Sequence, residues 1–302
     1  MRGEGPAFSI ILPSLNEGAM LSMTVESIAQ HSSDIAHEVL VVDDGSTDGS
    51  VDRLRLAHHQ GVRVIRGGRL GVARARNLGA RHARGAHLIF MDAHCRVCSG
   101  WLEIFADLLA DPRVGLAGPS FTKLETPVPS GCGMYWADYS LDPCWFETPS
   151  ISDSYLVPLT TGACQAFRRE TFDALGRYDA GFTRWGFEDV EMCLRTWLLG
   201  YSVAVHPAVT VAHYFREARD NYEVDDAEVT YNFLRMVYLH FSPTRIQCVR
   251  EAISANPYVA SSQDRLADSD VFDARAALLA RRLRDDEWFF NEVNGPPGEA
   301  RG

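Results

Sequence analysis

EVLVV at residues 38–42 runs directly into DDGSTD at residues 43–48, and this stretch decides the fold. The first five residues have the length and the largely apolar, β-branched character of a buried strand. Residues 45–48 supply turn and N-cap side chains, so a helix is predicted over residues 50–59. A buried strand that leads through a short turn into a helix is typical of a parallel sheet covered by helices on both faces.

The same alternation continues on both sides of this stretch. Apolar runs predict further strands at 8–12, 62–66 and 87–91, and helical spacing of apolar residues predicts helices at 19–31 and 71–83. We therefore expect an α/β fold with a mostly parallel central sheet flanked by helices. In such a sheet the ligand crevice lies beyond the carboxyl ends of the strands, so polar residues that directly follow the strands should meet there.

The pattern is less regular after residue 118. Residues 119–158 contain several prolines, glycines and aromatic residues, and they predict long loops or short strands over the crevice. Pro207 lies inside a later apolar run and predicts a sheet edge or a bend. The remaining predicted elements are strands at 159–168 and 203–211, helices at 187–199, 227–240 and 271–290, and a flexible tail at 292–302.

These elements divide the chain into two regions. We predict a catalytic domain at 1–240, with a nucleotide-binding half at about 1–118 and an acceptor-side half at about 119–240. A C-terminal helical extension with the flexible tail follows at 241–302. We expect this extension to pack on the catalytic domain. A homodimer contact, or a foot on the membrane surface, through its last predicted helix is an alternative.

Composition and charge exclude several classes of protein. The 302 residues are 46% hydrophobic and 23% charged, which is ordinary for a globular protein, and the formal net charge of −11 disfavours a nucleic-acid partner. No apolar run is long enough for a transmembrane helix, and the short polar N-terminus lacks a signal peptide. Seven cysteines, an odd number, favour a reducing compartment. We expect a cytoplasmic protein, with peripheral membrane association as an alternative.

A candidate metal site follows the strand predicted at 87–91. Asp92 and His94 are two residues apart, so both can reach one cation, and a carboxylate with an imidazole suits Mn²⁺ or another first-row ion better than Ca²⁺. A hydrogen-bonded loop is the alternative for so short a motif. His213 follows another apolar run, and it would complete the site only if the fold brings it to the same crevice.

Two further groups of charged residues have open roles. Glu188 and Asp189 begin a predicted helix, where acidic side chains are favourable in themselves, but the pair can also orient a sugar hydroxyl and accept an acceptor proton. Arg74 and Arg76 lie on the helix predicted at 71–83. Arginines there can balance a diphosphate, but without further context we interpret them as ordinary surface residues.

Five ordered motifs resemble nucleotide-sugar glycosyltransferases of the GT-A (Rossmann-like) fold. IILPSLNE at 10–17 and VVDDGSTD at 41–48 resemble the opening of glycosyltransferase family 2. The later motifs resemble the catalytic domain of the polypeptide N-acetylgalactosaminyltransferases: FMDAHC at 90–95, a stretch at 172–197 that contains WGFEDVEMCLRTW, and VAHYFR at 211–216. The resemblance implies transfer of a hexosyl or N-acetylhexosaminyl group from a UDP-sugar.

The resemblance also implies roles for individual residues. Asp92, His94 and His213 match the family's site for Mn²⁺ (or Mg²⁺). Donor-binding positions match Pro13, Leu15, Glu17, Asp43, Asp44, Arg69, Ala93, Gly162, Ala163, Trp185 and Arg216. A nucleotidyltransferase, another enzyme class with a similar nucleotide-binding half, would carry a glycine-rich basic loop after the first strand, and residues 13–17 lack one.

Asp189 is a departure from the peptide-modifying relatives, which carry asparagine at this position and retain the anomeric configuration. Family 2 enzymes usually invert, with an aspartate there as the base. The resemblance therefore implies an inverting reaction with Asp189 as general base and Glu188 beside it. A retaining reaction, or an inactive sensor or scaffold that binds a sugar nucleotide, is the alternative. The acceptor stays open among a glycan, a peptide, a lipid-linked molecule and a small molecule.

Overall fold

The computed structural model describes residues 5–32, 35–56, 61–126, 129–146, 153–216 and 225–295, and these fold around one large mixed sheet. Apolar runs with β-branched side chains form the strands, as expected for chains buried on both faces. The strands are β1 (Phe8–Ser14), β2 (His37–Asp43), β3 (Val62–Arg66), β4 (His87–Met91), β5 (Cys95–Val97), β6 (Val114–Lys123), β7 (Pro129–Gly131), β8 (Met134–Trp136), β9 (Pro143–Trp145), β10 (Tyr155–Leu156), β11 (Cys164–Arg168) and β12 (Ser202–His213).

Helices cover both faces of this sheet. Their positions follow the apolar stripes of the sequence, which must be buried against the strands. The helices are α1 (Met20–His31), α2 (Ser50–Leu56), α3 (Val72–His82), α4 (Trp101–Ala110), α5 (Arg169–Leu175), α6 (Glu188–Leu198), α7 (Asp226–His240), α8 (Pro243–Ala252), α9 (Val259–Ala267), α10 (Val271–Leu279) and α11 (Asp286–Trp288), with a π-helical turn at Phe289–Val293.

The order of the strands brings distant parts of the chain together. The main path is β10-β12-β6-β11-β4-β1-β2-β3. Strands β1 to β4 are mutually parallel where they pair, and β6 and β12 are parallel, but β11 runs antiparallel between β4 and β6. Cys164 therefore pairs with Met91, and the residues before β11 lie beside the carboxyl end of β4. The predicted α/β fold is confirmed, in a mixed form.

Several predicted boundaries were wrong. Strand β6 continues through Pro119 to Lys123, so the irregular region begins later than predicted, although short strands follow as expected. Pro119 is tolerated because it pairs with His206, next to an irregularity of β12 that contains Pro207. The strand expected from residue 159 begins at Cys164. The sequence analysis did not predict α4, α5, α8 or α9, and residues 57–60 of one predicted helix lie outside the described residues.

The single helix predicted at 271–290 is in fact two segments. Helix α10 ends at Leu279, and α11 begins at Asp286. The break is stabilised because the Asp285 side chain accepts a hydrogen bond from the Trp288 N–H as an N-cap, and the Leu283 N–H donates to the Leu198 carbonyl. Val271 and Phe289 are buried with α7 in one core, as expected for an extension packed on the rest of the chain.

The two predicted regions share this packing, and the boundary at residue 240 stays a prediction. The tail predicted at 292–302 was wrong at its start, because the π-helical turn extends to Val293 and the buried Asn294 side chain donates to the Trp136 carbonyl at 2.7 Å. Residues 296–302 lie outside the described part of the chain. Among the helices that the structure describes, none has both the length and the apolar content required to cross a bilayer.

Candidate functional site

A cleft of about 1010 Å³ lies beyond the carboxyl ends of β1 and β4. Parallel strands end at the same edge of the sheet, and this is the position at which open α/β sheets bind ligands. Of the predicted site residues, all except Asp43 line the cleft: Pro13, Leu15, Glu17, Asp44, Arg69, Asp92, Ala93, His94, Gly162, Ala163, Trp185, Glu188, Asp189, His213 and Arg216.

The three predicted metal ligands converge on one point. Asp92 and His94 follow β4, and His213 is the last residue of β12. His213 Nε2 lies 3.1 Å from His94 Nε2 and 3.4 Å from Asp92 Oδ2, and His94 Nε2 lies 3.8 Å from Asp92 Oδ2. Ligand atoms held about 2.1 Å from one ion are roughly 3.0 Å apart at a right angle and roughly 3.4 Å apart at a tetrahedral angle. The spacing therefore fits a divalent ion.

Charge at this triad also suits a cation. Burial would raise the pKa of Asp92, but His213, His94 and Arg76 outweigh it and hold the pKa below its ordinary value. Burial would lower the pKa of His94, but Glu17 and Asp92 raise it. The side chains of Asp92, His94 and His213 keep 25%, 13% and 12% of their exposure, so the ligand atoms face the cleft and remain accessible.

Glu17 connects the triad to the segment that follows β12. Its Oε2 lies 3.1 Å from His94 Nδ1, and it also forms an ion pair with Arg216. A ring nitrogen of a metal-binding histidine commonly donates to such a carboxylate, which fixes the orientation of the ring. Glu17 therefore holds His94 Nε2 towards the other two ligands, and it keeps the Arg216 guanidinium at the cleft.

The interpretation of Arg76 as an ordinary surface residue was wrong. This side chain is 2% exposed, and its guanidinium contacts Asp92 Oδ1 at 3.3 Å, Glu188 Oε1 at 2.8 Å and the Gly162 carbonyl at 2.8 Å. It also lies over the Tyr178 ring, 5.2 Å from the centroid. A buried cation is stable only with such partners. Arg74, two positions before it, is exposed as expected.

The two adjacent carboxylates at the start of α6 have different surroundings. Glu188 is buried, and it accepts hydrogen bonds from Arg76 and from the Gly186 N–H. Burial and the adjacent Asp189 raise the pKa of Glu188 to about 7, against the attraction of Arg76. Asp189 is partly exposed in the cleft, and it accepts from the Gly162 N–H at 2.7 Å. Asp189 is therefore the more accessible of the two.

Gly162 packs tightly between these charged groups. A Cβ atom at this position would lie 2.8 Å from Asp189 Cβ and 2.9 Å from Arg76 Nη2, so a larger residue would displace one of them. The glycine thus allows the backbone before β11 to approach both α6 and Arg76. This arrangement leaves Gly162 and Ala163 facing the cleft.

Two aspartates fix backbone turns near the predicted nucleoside end of the cleft, and only Asp44 lines it. Asp44 is buried, and it accepts from the Leu70 N–H at 2.6 Å and the Gly71 N–H at 2.9 Å, so it fixes the loop that contains Arg69. Burial raises the pKa of Asp44 against these hydrogen bonds. Asp43 accepts from the Gly45 and Ser46 N–H groups within its own turn, and it does not line the cleft.

Other cleft residues were not predicted individually from the sequence. Met134, Asp142 and Trp145 come from the short strands and turns after β6, and Arg184 and Phe187 flank Trp185. Aromatic content between residues 119 and 158 was the only indication of the first group. The burial of Arg76 had no local signal, because it depends on partners 16 to 112 residues away.

A parallel nucleotide-binding half with an antiparallel β11, and a D-x-H motif joined by a distant histidine, define a chain of the GT-A glycosyltransferase class. The family model for glycosyl transferase family 2 matches residues 9–176, and the chain belongs to that family. A second model, the N-terminal domain of galactosyltransferase, matches residues 154–219.

Curated and solved relatives agree with this class. Polypeptide N-acetylgalactosaminyltransferase 12 of Mus musculus is 30% identical over 95% of this chain and 52% of its own length. Polypeptide N-acetylgalactosaminyltransferase 3 of Taeniopygia guttata is 32% identical over 70% of this chain and 38% of its own. The structure of GalNAc-T7 with UDP, GalNAc and Mn²⁺ has a TM-score of 0.80 at 22% identity, over 96% of this chain and 57% of that one. The chain spans about half or less of the length of the first curated relatives.

Proposed function

We propose that this protein transfers a hexosyl or N-acetylhexosaminyl group from a UDP-sugar to an acceptor hydroxyl in a metal-dependent reaction. One observation carries the proposal: the fold brings Asp92, His94 and His213 together, with ligand atoms 3.1 to 3.8 Å apart, in the same cleft as Asp189. The curated relatives, which are polypeptide N-acetylgalactosaminyltransferases, and the structure of GalNAc-T7 with UDP, GalNAc and Mn²⁺ support it.

Asp92, His94 and His213 would hold Mn²⁺ (or Mg²⁺). When bound, this ion would stabilise the negative charge of the UDP leaving group. Glu17 keeps the His94 ring turned towards the other ligands. Arg216, which Glu17 also holds, places a guanidinium at the same edge of the cleft and would bind diphosphate oxygens.

Asp189 would act as the general base. The Arg76 guanidinium pairs with Glu188, whereas the Asp189 carboxylate accepts backbone N–H groups and faces the cleft. A base in this position accepts the proton of the acceptor hydroxyl as the oxygen attacks the anomeric carbon. Attack from the face opposite UDP gives inversion. A retained anomeric configuration in the product, measured by NMR at early times, would exclude this part of the proposal.

The first experiment is UDP release by the purified chain from a panel of UDP-sugars, with Mn²⁺ and with excess EDTA. We expect slow Mn²⁺-dependent hydrolysis of one donor, which would identify the sugar and justify a screen of glycan, peptide, lipid-linked and small-molecule acceptors. His213→Ala should abolish the metal-dependent turnover, because it removes one of three ligands. His206→Ala on the same strand, outside the cleft, is the matched control.

Full activity in excess EDTA would contradict the metal assignment. UDP binding without turnover, for any donor and acceptor, would instead favour a sensor or scaffold that binds a sugar nucleotide. The intact motif residues Asp92, His94, His213 and Asp189 favour the enzyme.

A further inference from the structure

The loop that leads into α6 carries Trp185 over the cleft in a constrained backbone. Arg184 has φ of 42°, Gly186 of 108° and Phe187 of 69°, so three of four consecutive residues are in the left-handed region. Residues other than glycine rarely adopt this backbone conformation, and it persists where the surrounding structure enforces it. Arg184, Trp185, Gly186 and Phe187 all line the cleft.

One side of this loop is held by the start of α3. The Val72 N–H donates to the Arg184 carbonyl at 2.8 Å. A Cβ atom on Gly71 would lie 2.8 to 2.9 Å from the backbone of Arg184, so the two segments are in close contact. This contact fixes the backbone of Arg184 on one side of the loop.

The second support is the side chain of Asn232. This residue is on α7 and is 0% exposed. Its Oδ1 accepts from the Thr183 N–H at 2.9 Å and the Thr183 hydroxyl at 3.2 Å, and its Nδ2 donates to the carbonyls of Thr183 at 2.7 Å and Trp185 at 3.0 Å. A buried amide with both ends bonded to one backbone segment fixes that segment in position and orientation.

The contacts of Arg235 and Asn256 anchor α7 itself. Arg235 pairs with Asp179 at 2.7 Å and with Asp270 at 2.9 Å, which ties the helix to the loop after α5 and to the start of α10. Asn256 donates to the Thr230 hydroxyl at 3.1 Å. These contacts anchor the helix, whereas those of Asn232 reach the backbone that carries Trp185.

We propose that Asn232 is a positioning residue for the donor-sugar side of the cleft. It holds the backbone of Thr183 and Trp185 so that the indole faces the donor and α6 begins with Asp189 correctly placed. The part of this inference that concerns turnover rests on the proposed function. A catalytic group must be held by such surrounding hydrogen bonds, since small displacements are costly to the rate.

The test uses three variants of the whole chain. Asn232→Ala removes the amide, and Asn232→Leu removes it while filling a similar volume, which preserves the packing of α7. Asn256→Ala is the matched control, because it removes a hydrogen bond to the same helix without contacting the loop. Each variant is measured for hydrogen–deuterium exchange of a peptide covering residues 182–188, for the Kd of UDP with Mn²⁺, and for kcat/KM of UDP release from the best donor.

We expect both Asn232 variants to exchange the 182–188 peptide about tenfold faster than the wild type. The Kd of UDP should stay unchanged, because the nucleoside and metal residues are on other elements. The kcat/KM for the sugar nucleotide should fall by about 10- to 100-fold. Asn256→Ala should behave as wild type in all three measurements.

Two results would overturn the inference. One is unchanged exchange of the 182–188 peptide in both Asn232 variants. The other is a loss of UDP affinity in step with the loss of turnover, which would mean that Asn232 only supports the fold. If the wild type releases no UDP from any donor with any acceptor, the proposed function fails, and the exchange measurement still decides whether Asn232 positions the loop.

Discussion

At the scale of single residues, the buried Arg76 guanidinium gives the charged groups of the cleft different surroundings. Arg76 contacts Asp92, Glu188 and the Gly162 carbonyl at the same time, so it joins the metal side to the start of α6. Glu188 is held by this contact, and Asp189 remains available at the cleft. Glu188 and Asp189 thus have different surroundings, because only Glu188 is paired with the arginine.

Replacing Arg76 should destabilise the fold strongly. In Arg76→Met, the carboxylates of Asp92 and Glu188 lose their buried counter-ion, and we expect a loss of about 3–5 kcal/mol in the free energy of unfolding, measured by urea denaturation. Arg74→Met on the exposed side of the same helix is the matched control and should change stability little. Equal losses in the two variants would show that the buried contacts of Arg76 contribute nothing.

Replacing Asp189 should separate chemistry from binding. Asp189→Asn keeps the size of the side chain but removes the base, so turnover should fall by about 10²–10⁴-fold while the Kd of UDP is spared. UDP release and calorimetric titration with UDP measure the two effects. The same substitution at Asp226, in the first turn of α7 and outside the cleft, controls for a general effect of lost charge. Near-normal turnover in Asp189→Asn would mean that this residue is not the base.

At the scale of elements, α6 connects the cleft to α7. Its first turn carries Glu188, Asp189 and Glu191. Glu191 is 0% exposed and contacts Arg195 and His240. His240 is the last residue of α7, and its Nε2 lies 2.6 Å from Glu191 Oε1. The buried cluster therefore fixes the α6 axis against α7, two residues beyond the candidate base.

This cluster predicts a pH dependence of stability. Burial would raise the pKa of Glu191, but Arg195 and His240 outweigh it and lower the pKa to about 2. A lowered pKa in the folded state gives stability that is present above the unfolded value of 4.5 and is lost as the pH falls towards 2. The contribution lost over this window is on the order of 3 kcal/mol.

The measurement is the free energy of unfolding between pH 5 and about pH 2, compared with Glu191→Gln. The variant should be less stable at pH 5, and its stability should decline less steeply with acid. Parallel curves for the two proteins would show that Glu191 does not contribute to the acid transition.

At the scale of the whole molecule, the candidate metal site joins two distant parts of the chain. His94 follows β4 and His213 ends β12, 119 residues later, on the opposite side of β11 in the sheet. An ion held by both would bind the folded state and not the unfolded chain, so it would stabilise the fold. At about 100 times its Kd, Mn²⁺ should raise the Tm by roughly 5 °C.

His213→Ala should lose this increase in Tm, and His206→Ala should keep it. Thermal unfolding with Mn²⁺ and with EDTA measures both. An equal increase in wild type and His213→Ala would place the ion elsewhere.

Local patterns were sufficient for the strands and for most of the helices up to residue 91. Strands β1 to β4 and helices α1 and α3 lie close to their predicted positions, because continuous apolar runs and helical spacing specify such elements without distant contacts. The later boundaries were less predictable. The break between α10 and α11 depends on a carbonyl of α6 and on the Asp285 cap, and neither is apparent from helical periodicity.

The sequence by itself determined the fold class, and through its motifs it identified many of the residues that line the cleft, because short-range patterns and the resemblance both reside in the order of the side chains. Only the tertiary structure decided which of them meet. It placed His213 against Asp92 and His94, buried Arg76 beside Glu188, and brought Asn232 to the Trp185 loop. Each of these contacts joins elements far apart in the chain, and the packing that forms them depends on the whole molecule.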